Sequence, residues 1–493
     1  MVGRVSKSPV ILWFRDDLRL SDHEALTAAL KDDAPILAIY VLDEATPGVR
    51  PLGGASRWWL HHALVSLSKD LKARGGRLDI LRGPQESLIT QLATAANASA
   101  IHWSRRISQP ERDIDAALKS KLKEAGIQAV SHDGLLLHRP WDLTTKTGGP
   151  FRVYTPFWRA LQGQVAIPQP LPAPKAIPAA DWPKGAPARI ALDDLGLLPT
   201  KPDWAGGLRD EWQPGEAGAK ARLEAFLEGP VRTYADERDR PDKPSTSKLS
   251  PHLRFGEISP RQVWHAAKHA AARRPEQDKS LGKFLSEVAW REFAYHLLFH
   301  NPELARKNYN PRFDTFPWKH PRPQDVVAWQ RGQTGYPIVD AGLRELWTTG
   351  FMHNRVRMIV ASFLIKHMMV DWRTGEDWFW DTLCDADPAN NAASWQWVAG
   401  SGADAAPYFR IFNPILQGEK FDPNGDYVRR FVPELARMPK SDIHAPWQAP
   451  PQMLIAAGVK LGDTYPEPIV DHPKARERAL AAFAELNGTA VSA

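Results

Sequence analysis

Cysteine is almost absent from this chain: Cys384 is the only one among 493 residues. One thiol cannot form a disulfide within the chain, and it cannot supply a cysteine-rich metal site. We therefore expect no disulfide framework. The sequence also offers no ligand set that would predict a metal centre.

Long apolar runs are absent as well. No stretch approaches the roughly 18 apolar residues of a membrane-spanning helix. The first residues, MVGRVSKSPV, lack the apolar segment of a secretory signal peptide. Both absences predict a soluble protein inside the cell, with no membrane association.

Neither the charge nor the commonest nucleotide motif identifies a ligand. The 63 basic and 57 acidic residues leave a net charge of +6, which is too small to establish nucleic-acid binding. No G-x-G-x-x-G sequence follows the first apolar run. This argues against a dinucleotide-dependent dehydrogenase.

Residues 1–135 alternate between short apolar runs and segments with helical spacing. That alternation is typical of βαβ units, so we predict an α/β domain with a parallel sheet covered on both faces. Ser21 and Glu24 have the spacing of a capping box for the first helix. The predicted strands are 10–14, 36–42, 78–81, 100–104 and 128–131, and the predicted helices are 22–30, 56–73, 84–96 and 110–125.

A proline-rich stretch follows this first domain. Nine prolines lie between residues 168 and 202, and proline is excluded from regular helix interiors and from central strands. We predict a long extended connector over 136–204 and, after it, an all-helical domain over 205–493. The helices predicted in that domain are 218–228, 259–272, 280–299, 325–331, 337–348, 353–369 and 375–383.

The stretch 351–397 interrupts apolar helical segments with charged, amide and indole groups. Burial of such groups costs free energy unless a partner satisfies them. The pattern therefore predicts a large, flat ligand with polar edges in the helical domain.

Six short sequences resemble the DNA photolyase/cryptochrome family, and the resemblance extends over nearly the whole chain. They are LWFRDDLR at 12–19, TSKLS at 246–250, EVAWREF at 287–293, HNRVRM at 353–358, VDWRTGEDWFW at 370–380 and DADPANNAASWQW at 385–397. The HNRVRM form is typical of photolyases that repair cyclobutane pyrimidine dimers, and the Asp385-Ala386-Asp387 form hints at their class III branch. The resemblance implies an antenna-binding α/β domain and an all-α domain that binds FAD.

By this resemblance, FAD is bound in its reduced, anionic state. Arg357, paired with Asp385, would place a cation near the flavin ring, and a nearby cation favours an anion by Coulomb attraction. Asn391 would face flavin N5, where its amide has no titratable proton. The cofactor-binding residues implied are Tyr234, Thr246, Ser247, Lys248, Leu249, Ser250, Phe284, Arg291, Asn354, Arg357, Asp385, Ala386, Asp387 and Asn391.

The resemblance also implies a pocket for a pyrimidine dimer that has swung out of the DNA helix. Such a pocket needs indole walls, a carboxyl and an amide for the base edges, a methionine contact and arginines for the DNA phosphates. The residues implied are Arg238, Glu287, Trp290, Asn354, Arg355, Met358 and Trp397. From the residues alone, Glu287 and Arg291 also fit a surface ion pair beside a core tryptophan, and TSKLS also fits an ordinary loop.

Core packing accounts for most of the 20 tryptophans. The resemblance assigns three of them, Trp395, Trp372 and Trp318, to a chain that carries electrons between the flavin and solvent. With Glu287 and Asn391, these are the residues assigned to the reaction.

Residues 101–111 resemble the region that helps to hold an antenna pigment in this family. Pro110-Glu111 stands where the folate-binding form has Asn-Glu, and Glu111 fits a solvated carboxylate at a helix start equally well. We expect an antenna, with methenyltetrahydrofolate favoured over a deazaflavin. We also expect a monomer in the bacterial cytosol, at the nucleoid, whose partner is DNA that contains pyrimidine dimers.

Light-driven repair of cyclobutane pyrimidine dimers is the function that these sequences favour. A cryptochrome photoreceptor would share the flavin site, but plant cryptochromes typically carry aspartate at the position of Asn391. A (6-4) photolyase would use histidine chemistry at the lesion and usually lacks HNRVRM. A flavin-binding helical module without light chemistry is the remaining alternative.

Overall fold

The computed structural model describes residues 7–405, 409–486 and 488. Its first part contains a five-stranded parallel sheet in the order β3-β2-β1-β4-β5. The strands are β1 (Val10–Phe14), β2 (Ile36–Leu42), β3 (Leu78–Arg82), β4 (Ala100–Ser104) and β5 (Gln128–His132). The predicted α/β class and parallel sheet are therefore confirmed, with two strands one residue longer than predicted.

Helices cover both faces of this sheet. They are α1 (Glu24–Ala29), α2 (Gly54–Lys72), α3 (Gln85–Ala95) and α4 (Gln109–Glu124). Alternate residues of β1 enter different cores: Leu12 packs in one with residues of α1 and α2, and Trp13 packs in the other with residues of α3 and α4. Burial on both faces explains why β1 and β2 are continuous apolar runs.

The predicted capping box at Ser21 and Glu24 is wrong. His23 is the N-cap of α1, and its Nδ1 accepts a hydrogen bond of 3.1 Å from the Leu26 backbone N–H. The Ser21 hydroxyl donates instead to Glu216 of the helical domain. A contact between the two domains thus outcompetes a local cap whose sequence spacing was suitable.

The predicted extended connector over 136–204 contains a helix, α5 (Tyr154–Gln164), which corrects that prediction for these residues. Phe157 and Leu161 of α5 are fully buried, so packing against the second domain stabilises this helix. Residues 165–205, all of which are described, form no α-helix and no strand. They contain one 3₁₀ turn (Asp193–Leu195) and an isolated bridge between Ala179 and Ile36. The domain boundaries at 135 and 204 stay a prediction.

The part after residue 205 is helical, as predicted. Its helices are α6 (Gly206–Glu211), α7 (Glu216–Glu228), α8 (Tyr234–Glu237), α9 (Ser250–Arg254), α10 (Pro260–Arg273), α11 (Asp278–His300), α12 (Pro323–Gln330), α13 (Pro337–Thr349), α14 (Asn354–Ser362), α15 (Trp372–Thr382), α16 (Asn390–Ala399), α17 (Pro414–Phe421), α18 (Asp426–Phe431), α19 (Pro451–Ala457) and α20 (His472–Leu486). Within the described ranges, no helix combines the length and apolarity needed to span a membrane.

The predicted helix 353–369 is divided. After α14 the backbone continues as a π-helix (Phe363–His367), and Met369 then adopts a left-handed conformation with φ of 58°. A π-turn inserts an extra residue and changes which side chains face the core. Lys366 and His367 are both buried as a result.

Close packing of α15 on α16 generates a prediction about stability. A Cβ atom on Gly375 would lie 2.1 Å from the ring of Trp395. Gly375→Ala should therefore lower the free energy of unfolding by about 1–3 kcal/mol, the usual cost of overpacking a core. Denaturant unfolding measures it. Gly282→Ala is the matched control, because that helical glycine is exposed with no atom within 4 Å of an added Cβ. Equal stability of the two variants would contradict the prediction.

Candidate functional site

An ion pair joins Arg357 of α14 to Asp385 of the loop before α16. The two guanidinium N–H groups of Arg357 donate to the two carboxylate oxygens of Asp385 at 3.1 and 2.8 Å. The Ser250 hydroxyl, at the start of α9, donates to the same carboxylate at 2.6 Å. Only 4% of the Asp385 side chain is exposed. Three segments distant in sequence thus meet at one charged pair.

The loop after Asp385 is held by its own polar groups. Asp387 is buried and accepts hydrogen bonds from the backbone N–H groups of Ala389 and Asn390 at 2.9 and 2.6 Å. Burial raises the pKa of Asp387, and the charges of Arg291 and Arg254 oppose this rise. The carboxylate is therefore buried beside two cations, with its orientation fixed by the loop.

Asn391 lies in the first turn of α16 and is 7% exposed. Its amide nitrogen donates to two oxygens of Glu376, the backbone carbonyl at 2.9 Å and the carboxylate Oε1 at 2.7 Å. Neither oxygen can donate, so this end of the amide must be the NH₂ group. The side-chain carbonyl of Asn391 is left to accept a hydrogen bond.

The predicted phosphate-binding residues lie between α8 and α9. Tyr234 packs edge to face against Phe284, with ring centroids 5.7 Å apart. Lys248 has a left-handed backbone with φ of 49°, and its ammonium group pairs with Glu211 at 2.7 Å. Leu249 is buried, whereas Thr246 and Ser247 are half-buried. The loop therefore combines hydroxyl groups, a lysine and a fixed turn.

Arg291 of α11 reaches the interface with the first domain. Its guanidinium donates to the carbonyl of Leu135 at 2.9 Å and to that of Leu253 at 3.5 Å. Nearby, Arg254 donates to the Ala386 carbonyl at 2.8 Å and to Asp16 of the first domain at 2.7 Å. Residues from both domains thus position the loop that contains Asp385, Ala386 and Asp387.

The two arginines expected at DNA phosphates are both in ion pairs. Arg238 pairs with Glu287 at 2.9 Å. Arg355 pairs with Asp239 at 2.7 Å and stacks over Phe421. Each keeps its guanidinium partly exposed, with 17% and 18% of the side chain accessible.

Two tryptophans expected at the lesion are half-buried with fixed orientations. Trp290 stacks on Tyr154, with parallel rings 3.7 Å apart, so Tyr154 covers one face of the indole. Trp397 donates its indole N–H to the Asp404 carbonyl at 3.0 Å. Trp397 also lines a cavity of about 640 Å³, which Lys366 borders.

Asn354 and Met358 lie one turn apart on α14. Asn354 is exposed as the first residue of the helix, and Met358 is half-buried. His353 is the N-cap, and its Nδ1 accepts from the Arg355 backbone N–H at 3.2 Å. Burial lowers the pKa of His353 to about 4, so its other ring nitrogen carries the single proton.

The three tryptophans expected to carry electrons differ in exposure. Trp372 and Trp395 are buried, whereas Trp318 is half-buried. Trp372 donates its indole N–H to Asn308 at 2.9 Å. Trp395 packs on Gly375, one turn after Trp372. Lys319, next to Trp318, donates its backbone N–H to Met369 at 2.8 Å. All three belong to or border one apolar cluster.

Glu111 lies in the first turn of α4, where its carboxylate is paired rather than solvated alone. It accepts from Arg106 at 2.8 Å and from the Ser108 hydroxyl at 2.5 Å. Arg106 also pairs with Asp16 at 2.9 Å. The contact of Glu111 with an antenna pigment stays a prediction.

The polar groups of the helical domain fit a flavin nucleotide. Arg357, Asp387 and Asn391 combine a cation, a carboxylate and an amide of the kind that recognises the polar edge of a flavin ring. The ring Nε2–H of His353 and the Nε–H of Arg355 are buried without a hydrogen-bond partner. A buried donor without a partner costs about 1–3 kcal/mol, so a ligand with acceptor atoms is expected here.

Sequence reasoning missed several residues that shape this site. Glu376 lies within VDWRTGEDWFW, and a carboxylate among the buried positions of this helix could have identified it as a site residue. Tyr154 lies in the stretch predicted as an extended connector. Arg50 and Asp239 gave no sequence signal, because only the tertiary fold brings them to their partners.

Comparison with known proteins identifies the family. Residues 10–175 match the family model for DNA photolyase, and residues 284–485 match that for the FAD binding domain of DNA photolyase. A deoxyribodipyrimidine photo-lyase of Agrobacterium fabrum is 55% identical over 98% of this chain and 99% of its own length. The chain belongs to the DNA photolyase family.

Solved and curated relatives of this photolyase family member include both repair enzymes and photoreceptors. A bacterial class III photolyase from Agrobacterium tumefaciens superposes with a TM-score of 0.94 at 54% identity, covering 99% of this chain and 100% of its own. Cryptochrome-1 of Arabidopsis thaliana is 36% identical over 97% of this chain and 70% of its own length. The FAD-binding domain predicted for the second half is thereby confirmed.

The buried Lys366 generates a prediction about pH. Burial, with the charge of Arg410 adding to it, lowers the pKa of Lys366 to about 7 from 10.5. Between these values the unfolded state binds more protons than the folded state, so stability rises with pH. The free energy of unfolding, relative to that of Lys366→Met, should rise from about pH 7 towards about pH 10.

Denaturant titrations of both proteins across this range measure the effect. Lys319→Met is the control, because it removes an exposed lysine instead of a buried one. A difference between Lys366→Met and the unmutated protein that stays constant with pH would contradict the prediction.

Proposed function

We propose that this protein is a class III photolyase that repairs cyclobutane pyrimidine dimers in DNA with light. The proposal rests on one observation. The uncharged amide of Asn391 is buried, and it follows closely in sequence after Asp385 of the Arg357–Asp385 ion pair. Its relatives named deoxyribodipyrimidine photo-lyase support the same activity. The enzyme is thus a carbon–carbon lyase.

Reduced FAD bound at this site would supply light-driven one-electron chemistry: the electron passes to the dimer, the two cyclobutane carbon–carbon bonds open, and the electron returns to the cofactor. The protein orients the cofactor and sets its electronic properties. The Arg357 cation favours an anionic flavin, and its pairing with Asp385 holds it in one position. Asp387 accepts hydrogen bonds at the polar edge of the ring.

The nucleotide part of FAD is held by the residues between α8 and α9. Thr246, Ser247 and Ser250 supply hydroxyl groups, Lys248 supplies a cation, and Leu249 anchors the loop in the core. Tyr234 and Phe284 form the aromatic wall beside them. Hydroxyls, a lysine and free backbone N–H groups bind phosphates without a glycine-rich loop.

The lesion pocket lies between α11, α14 and α16. Tyr154 covers one face of the Trp290 indole, so the opposite face is the one that stacks on the lesion. Trp397 forms the second wall, Glu287 and Asn354 bind the base edges, and Met358 makes an apolar contact. Arg238 and Arg355 contact phosphates, and each must share its charge with the carboxylate that pairs with it.

Electrons reach the flavin from solvent through Trp318, Trp372 and Trp395. Electron tunnelling falls steeply with distance, so a buried flavin needs closely spaced rings. Their common apolar cluster and the partial exposure of Trp318 support Trp318 as the end of the chain nearest to solvent.

An antenna pigment, a monomeric state and a place in the bacterial cytosol at the nucleoid complete the proposal. Methenyltetrahydrofolate stays favoured over a deazaflavin as the antenna. The ion pairs of Arg106 with Asp16 and Glu111 lie in the region expected to hold it.

A cryptochrome photoreceptor is the second candidate, favoured by the 36% identity with Cryptochrome-1 of Arabidopsis thaliana. Repair assays separate the two functions. The absorption spectrum of the purified protein identifies its pigments, and light-dependent reversal of dimers by the reduced protein, with none in darkness, supports photolyase activity. Flavin photoreduction without dimer reversal would favour the photoreceptor.

Asn391→Asp tests the proposed role of this amide. Aspartate brings a titratable proton to flavin N5, so the photoreduced flavin should shift towards its protonated, neutral form and repair should decrease. Absorption spectroscopy during illumination and dimer-repair turnover measure the two effects. An unchanged spectrum with unchanged turnover would reject the assignment of Asn391.

Trp290→Ala tests the lesion pocket. Loss of one base-stacking contact should weaken binding to dimer-containing DNA by about 1–3 kcal/mol, with little change for undamaged DNA. Equilibrium binding to both DNAs measures the difference. Trp182→Ala, a half-buried tryptophan packed on the sheet of the first domain, is the control. Equal losses for both DNAs would show that Trp290 does not contact the lesion.

A further inference from the structure

Residues 50–56 of the first domain are docked on α15 of the second. The Trp380 indole N–H donates to the Pro51 carbonyl at 2.8 Å, and the Gly54 backbone N–H donates to Asp381 at 2.8 Å. Gly53 approaches so closely that a Cβ atom there would lie 2.1 Å from the Trp380 carbonyl oxygen. The position of α15 is therefore set by the first domain.

Arg50 begins this docked segment and binds a buried carboxylate. Its two NH groups donate to both oxygens of Glu376, at 2.7 and 2.9 Å. The guanidinium also lies 4.0 Å from the Trp380 ring centroid and donates to Asp377 at 2.6 Å. The Glu376 side chain is 1% exposed, whereas Arg50 is 23% exposed. The planar guanidinium of Arg50 both orients the carboxylate and compensates its negative charge.

The same carboxylate holds Asn391. Glu376 Oε1 accepts from Arg50 and from the Asn391 amide nitrogen, which lies 2.7 Å away. While Glu376 is ionised it can only accept hydrogen bonds, so the NH₂ end of Asn391 must face it. The carbonyl end must then face away from Glu376.

We propose that Arg50 and Glu376 are positioning residues that present the carbonyl oxygen of Asn391 to flavin N5. This inference rests on the proposed function, in which Asn391 faces N5. Reduced flavin carries a hydrogen on N5, which a carbonyl accepts, whereas oxidised flavin has a lone pair there, which a carbonyl does not satisfy. The amide orientation thus favours the reduced state that repair requires.

Removal of the Arg50 charge should disfavour reduced flavin in either state of Glu376. If Glu376 stays ionised, its uncompensated negative charge repels the anionic reduced flavin. If it takes up a proton to avoid an unpaired buried charge, it can donate to the Asn391 carbonyl, and the amide turns its NH₂ group towards N5. Both changes lower the reduction potential of the bound flavin.

The experiment compares dark redox titrations of FAD-loaded Arg50→Met, Arg50→Lys and unmutated protein. Arg50→Met should lower the ratio of reduced to oxidised flavin at least about tenfold at a given potential, which is ~30 mV for a two-electron couple. Arg50→Lys keeps the charge but loses the fork, so its shift should be smaller in the same direction.

Arg306→Met is the matched control. Arg306 also pairs with Asp377, at 3.1 Å, but it is more than half exposed, and its only ion pair among the described residues is with Asp377 rather than Glu376. The flavin reduction potential of Arg306→Met should equal that of the unmutated protein. An unshifted potential in Arg50→Met, or an equal shift in Arg306→Met, would overturn the inference. Thermal unfolding of all variants shows whether they fold. If Arg50→Met does not fold, an unshifted flavin reduction potential in Arg50→Lys would overturn the inference.

Dimer repair by the unmutated protein separates this inference from the proposed function. Absence of repair together with a lowered potential in Arg50→Met would reject the repair activity and support the positioning role. Repair with an unshifted potential would support the activity and reject the positioning role.

Discussion

The ion pair between the half-buried Arg357 and the buried Asp385 is the interaction on which the candidate site depends. Removing the Asp385 carboxylate from water is costly unless its oxygens are paired and hydrogen-bonded. Ser250 donates to that carboxylate at 2.6 Å, and the Met352 carbonyl accepts from Arg357 at 2.7 Å. These contacts join α9, α14 and the loop before α16. Because the buried carboxylate requires these partners, the segments that contain the site are held together.

Contacts between the domains extend this arrangement. Asp16 of the first domain binds Arg254, which holds the Ala386 carbonyl, and Arg50 binds Glu376, which holds Asn391. The α/β domain therefore fixes the Ala386 carbonyl and the Asn391 side chain of the helical domain. Under the proposed function, this is how the first domain contributes to the chemistry of the second.

The sequence predicted much of the fold because periodicity and proline act locally. Strand β1 was predicted to the residue, since a run buried on both faces is apolar throughout. Helix α5 was missed, because packing of Phe157 against the second domain stabilises it just before the proline-rich stretch. The capping box at Ser21 failed for a similar reason, since Glu216 from another domain takes its hydroxyl.

The sequence by itself determined the family, the alternation of strands and helices, and the residue types expected around a flavin, because these depend on short motifs and local spacing. Tertiary structure alone decided which charges meet. Arg50 and Glu376 are 326 positions apart, and no local pattern relates residues at such a distance. Their pairing follows from the docking of one folded domain on another, where burial makes each charge require the other.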